Sequence, residues 1–135
     1  MDLFKQYQQL GQNKGVKMNK FTENILIKKE NPYSDKIKKE IENINIEIIT
    51  ENDLSVSDST FQDEINLLFC LEYKLSIEKD KKKLAYLNYL ISYYIFIILT
   101  PPFSQEIALK YSKEALKLDN KKEYIEWIEY IKQGN

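Results

Sequence analysis

The chain has 135 residues with 20 cations and 21 acids, a net charge of −1, 43% apolar and 30% charged residues. That length and mixture fit one domain with a modest core and exclude a disordered chain. Every cation is lysine and there is no histidine, so the usual general base, proton shuttle and commonest metal ligand are missing, as is the bidentate arginine clamp for phosphate or carboxylate.

Three glycines and three prolines are few breakers, which favours helices over a turn-rich β fold. Asp2 is placed to cap a short helix in which Leu3, Phe4, Tyr7 and Leu10 form an apolar stripe ending at Gly11. Residues 11–20 read as a polar loop, and 21–27 are too short to assign by period. Asn31-Pro32-Tyr33-Ser34 is a turn, with Ser34 or Asp35 as the cap of the next helix. Ile37, Ile41, Ile44 and Ile48 then recur at helical spacing and predict a helix over 36–49. Ile44-Asn45-Ile46-Glu47-Ile48 also alternates, so a strand from Asn45 is the alternative.

Residues 50–59 are rich in Ser, Asp and Asn and mark a boundary between a less regular part, 1–58, and a helical core, 59–135, of a single domain. Ser59 or Thr60 caps the next helix, with Gln62 or Asp63 completing a capping box. Phe61, Ile65, Leu68, Leu71 and Leu75 mark one face of it, and Leu67, Phe69 and Tyr73 widen that face to more than one covered side. Asp80-Lys81-Lys82-Lys83 punctuates the chain. An apolar run over 84–99 comes next, interrupted only by Asn88 and Ser92, and Thr100-Pro101-Pro102 stops it. Ser104 caps a helix over 105–118 with Ala108, Tyr111, Ala115 and Leu118 inside and Lys110, Lys113, Glu114 and Lys117 outside. A last helix starts near Lys121 and presents Tyr124, Trp127, Ile128 and Ile131 on one face.

Lysines and acids balance within 1–58, within 59–103 and within 104–135, so no segment supplies the basic field that draws nucleic acid. The lone Cys70, within Leu67-Leu68-Phe69-Cys70-Leu71, reads as a buried structural thiol, and one cysteine without histidine argues against zinc. No cofactor or metal is expected. Met1-Asp2-Leu3-Phe4-Lys5 shows no basic-then-apolar leader, so an intracellular, cytoplasmic location is the expectation.

The segment 81–132 resembles a tetratricopeptide repeat and half of the next. Ala108 and Ala115 occupy the two small positions of the family's second helix, and Leu116, Leu118 and Asp119 continue the match. Ser112 stands where an aromatic is expected, with Tyr111 one residue early, and Asn120 stands where proline is common. In the first helix Leu87, Leu90 and Tyr94 fit, while Ile91 replaces a small residue. The C-terminal half also looks somewhat like the mitochondrial fission adaptor, a six-helix bundle around two such repeats; that family ends in a membrane anchor, to which 130–135 shows no likeness. The resemblance implies an all-α fold of antiparallel helix pairs stacked as in tetratricopeptide repeats, with an irregular N-terminal third. It implies a non-enzymatic adaptor or assembly subunit that binds a protein or peptide through a helical-repeat groove. One repeat cannot bury its faces alone, so 36–49 and 61–78 would form a degenerate preceding pair.

If Leu87, Leu90 and Tyr94 face the partner helix, Asn88 and Ser92 lie one turn apart on the groove side, with Phe96 a turn further. Polar groups in an apolar helix are costly to bury unpaired, so they are candidates to hydrogen-bond a bound peptide or to bond locally. Tyr89 and Tyr93, neighbours at i and i+4, suit an interface or a core whose hydroxyls reach its edge. The alternative role is a structural subunit of a membrane-bound complex, with 84–99 packed against other chains or lipid.

Overall fold

Ser34 opens the first helix of the region that the computed structural model describes, residues 34–55 and 58–134. The expected helix over 2–10, the loop over 11–20 and the segment 21–27 lie outside it. The Ser34 hydroxyl accepts the Ile37 N–H at 3.3 Å, and Asp35 in the first turn complements the helix dipole. Helix α1 (Asp35–Asn43) buries Ile37 and Ile41 and stops at Ile44, where the backbone turns extended.

The predicted helix over 36–49 therefore ends at Asn43, and no strand replaces its second half. Two 3-10 turns take its place, Ile46–Ile48 and Glu51–Leu54. The Asn45 side chain accepts the Glu47 N–H at 3.2 Å, a local bond that competes with helix continuation. The Asp53 carboxylate accepts the Thr50 N–H at 2.8 Å and the Thr50 hydroxyl at 3.1 Å. The buried isoleucines become Ile46 and Ile49, three apart as a 3-10 turn requires, and Ile48 is left outside. Leu54 and Ser55 are buried, so the described part of the 50–59 stretch packs onto the core.

Of the two expected caps for α2 (Phe61–Ile77), Thr60 is the one used. Its hydroxyl accepts the Asp63 N–H at 3.1 Å and Asp63 accepts the Thr60 N–H at 3.0 Å. The buried face of α2 is Leu67, Cys70, Leu71 and Lys74. Phe61 and Phe69, expected inside, are exposed.

Helix α3 (Lys81–Tyr93) starts before the expected Leu84, because Asp80 accepts the Lys83 N–H at 3.0 Å. It runs on into a π-helical turn, Tyr94–Leu99, and ends at Thr100, whose N–H donates to the Ile95 carbonyl at 2.9 Å. Thr100 (φ 46°) and Phe103 (φ 64°) both take left-handed backbone, on either side of two prolines whose φ is fixed. For a β-branched threonine that costs about 1–2 kcal/mol. Ser104 is accordingly not a cap; it is the first residue of α4 (Ser104–Leu118), and its N–H donates to Pro101.

Helix α5 (Lys122–Gln133) closes the described fold, and the Gln105 side-chain amide donates to its Ile131 carbonyl at 3.0 Å. The result is all-helical, with five α-helices packed against one another and no strand among the described residues. The small residues Ala108, Ser112 and Ala115 are all buried on α4, which allows close approach to α3. At their crossing the Ser92 hydroxyl donates to the Ala108 carbonyl at 2.7 Å and accepts the Trp127 indole N–H at 2.8 Å. One hydroxyl thus joins α3, α4 and α5. Ser92→Ala removes both of these bonds. We expect a loss of about 1–3 kcal/mol, read by urea unfolding through the fluorescence of the one tryptophan; an unchanged midpoint would show that the hub is not structural.

Candidate functional site

The structure places all five side chains singled out on the apolar helix inside the molecule. Asn88 is 5% exposed, Tyr89 4%, Phe96 1%, and Ser92 and Tyr93 0%. Asn88 donates to the Leu84 carbonyl of its own helix at 2.9 Å, and Ser92 is spent at the three-helix hub. Tyr89, Tyr93 and Phe96 pack on Trp127 with ring centroids 5.8, 5.8 and 6.0 Å away, and Tyr130 stacks on the same indole at 5.3 Å. Such aromatic contacts contribute about 0.5–1.5 kcal/mol each beyond burial. In this fold their surfaces are covered, and these contacts are internal.

The tyrosine hydroxyls have a related use. Tyr89 donates to the Glu51 carboxylate at 2.6 Å and Tyr86 to the Ile49 carbonyl, tying α3 to the 3-10 segment. Tyr94 donates to the Glu64 carbonyl at 3.0 Å and Tyr111 to Glu72, tying the π-helical turn and α4 to α2. Burial first, then nearby carboxylates, pushes the Tyr86 and Tyr94 phenols upward, so they stay neutral donors.

The open surface lies elsewhere. Between α1 and α2 there is an open cavity of about 470 Å³, lined by Lys38, Ile41, Gln62, Ile65, Asn66, Phe69, Cys70 and Tyr73. One end is tied shut: the Tyr73 hydroxyl donates to the Glu42 carboxylate at 2.8 Å, and the buried Lys74 ammonium donates to the Glu42 carbonyl at 3.1 Å. A cation on the last carbonyls of α1 also complements that helix end. Away from this joint the walls are mainly apolar, and Phe69 is 64% exposed. A volume of this size with few polar groups is what binding clefts present. The spacing 62, 65, 66, 69, 73 on one side of α2 carried the signal in the sequence, but a mixed polar and apolar face reads there as a second packed side.

Cys70 lies in the wall of this groove, 6% exposed. Burial pushes its thiol from 9.0 up to about 11. The neutral form is therefore favoured in the fold, and the associated stability is complete below pH 9 and is lost as pH rises through about 11. A shift of that size lowers the thiolate fraction roughly a hundredfold near pH 8. Iodoacetamide alkylation monitored by mass spectrometry should be about two orders of magnitude slower for the folded chain than in urea; equal rates would show the groove wall to be open at Cys70.

Among the described residues no helix is long and apolar enough to cross a membrane, and no three acidic or cysteine side chains come together as metal ligands do. Comparison with known proteins found no matching family model, curated protein or solved structure.

Proposed function

We propose that the chain is a non-enzymatic protein-interaction module, an adaptor or small assembly subunit that seats a helical peptide segment of a partner protein between α1 and α2. The observation that carries this reading is the open apolar groove with an aromatic side chain, Phe69, standing in it. Large exposed apolar side chains grouped beside a cleft mark interaction surfaces, whereas scattered ones do not. Aromatic residues are also the commonest energetic anchors at such surfaces.

The all-helical architecture and the likeness of 81–132 to tetratricopeptide repeats support the same class of role. The groove proposed here is formed by the two helices preceding that segment. The absence of histidine and arginine supports a binding role over catalysis. An intracellular setting belongs to this reading, and a single buried free cysteine fits it.

Covering the Phe69 ring should contribute about 2 kcal/mol to association. Phe69→Ser is therefore expected to weaken partner capture roughly thirtyfold, while Ile125→Ser, which alters an exposed apolar residue on α5, leaves it unchanged. Affinity capture with the full chain and both variants, quantified by titration, checks this. Equal capture by all three would contradict the groove.

A further inference from the structure

We propose that the partner segment is an acidic amphipathic helix about three turns long, its apolar stripe on Ile65 and Phe69 and its carboxylates at Lys38. This rests on the binding-module reading and adds the chemistry of the occupant.

The length comes from the groove. Its wall along α2 runs from Gln62 to Tyr73, which at 1.5 Å per residue is roughly 16 Å, or three helical turns. The exposed Phe61 lies next to Ile65 by i, i+4 spacing and extends the apolar surface by a further turn. A helix laid in such a groove presents anchors at i, i+3 or i+4, and i+7.

The sign of the charge comes from what is committed and what is not. Among the described residues Lys38 is the only charged one lining the cavity, and its ammonium makes no ion pair or side-chain hydrogen bond with them. The acid at the closed end, Glu42, already accepts the Tyr73 hydroxyl, and the Lys74 ammonium sits on its carbonyl. An occupant therefore meets a cation on the wall, while the acid of the tied end, Glu42, is not among the described residues that line it. Complementary charge at a rim sets orientation and partner choice more than affinity.

The polar wall residues favour a peptide over a lipid chain. Gln62 donates to the Asn66 side-chain oxygen at 2.9 Å, which leaves the Asn66 amide N–H groups and the Gln62 carbonyl for further bonds. Polar side chains flanking a peptide's apolar stripe can meet them, whereas an alkyl chain would desolvate them without return.

The test uses the full chain as bait for a displayed library of helical peptides. Leucines are fixed at positions i, i+4, i+7 and i+11, and the flanking positions are randomised. The expected result is enrichment of Asp and Glu over Lys beside the leucine stripe. A selected peptide should bind about two- to fivefold more tightly than its lysine-substituted twin for each charge exchanged, as exposed pairs do, and the preference should shrink with salt. Lys38→Glu should reverse it with the helical circular dichroism unchanged, since Lys38 lies on the exposed face of α1. Selection without charge preference, or a preference that Lys38→Glu leaves intact, overturns the acidic helix while the groove stands. Selected peptides that bind Phe69→Ser as well as the original chain overturn the groove reading too. A bait that self-associates through Phe69 and yields no peptides assigns the groove to a second copy and overturns the proposal; a monomeric bait that yields none overturns both.

Discussion

The fold turns on the requirement that a fully buried indole find an acceptor for its one N–H. Trp127 is 0% exposed and sits among Tyr89, Tyr93, Phe96 and Tyr130. Its N–H bonds to Ser92, a small hydroxyl in a helix otherwise dense in bulky apolar groups. Ser92 in turn needs an acceptor, and the Ala108 carbonyl provides it at 2.7 Å. That distance is reachable only if α3 and α4 lie close, which the small side chains of Ala108, Ser112 and Ala115 permit. Each element of the C-terminal half is constrained by this single chain of donors and acceptors.

The same constraint displaces the open surface. The aromatic residues that would make α3 a recognition surface are consumed in covering Trp127 and in tying down the 3-10 segment. Among the described residues, what remains open is the side of α2 that faces α1 across the groove. Helix α1 is short for a local reason: it stops at Ile44, and Asn45 turns its side chain onto the Glu47 N–H.

Much of the C-terminal architecture was legible in the sequence because its signals are local. Thr60 and Asp63 as a cap, Pro101-Pro102 as a stop, and Ala108 and Ala115 as close-approach positions all stem from the chemistry of single residues. The choice between recognition and local bonding at Ser92 was not legible, since it depends on Trp127, 35 residues beyond it. The π turn at Tyr94–Leu99 leaves no periodic mark in a uniformly apolar run. The exposure of Phe69 was also hidden: composition identifies a side chain that can be buried, and only the packing of the helices decides whether anything covers it.

On the proposed reading a partner meets α1 and α2, while the buried faces of α3 and α5 stay inside the fold. Hydrogen exchange of the full chain, alone and with its captured partner, tests this most directly. Added protection is expected within 35–43 and 61–77, with the amides of 81–93 and 122–133 protected already and unchanged. Added protection concentrated in 81–93 and 122–133, with 61–77 unaltered, would contradict it.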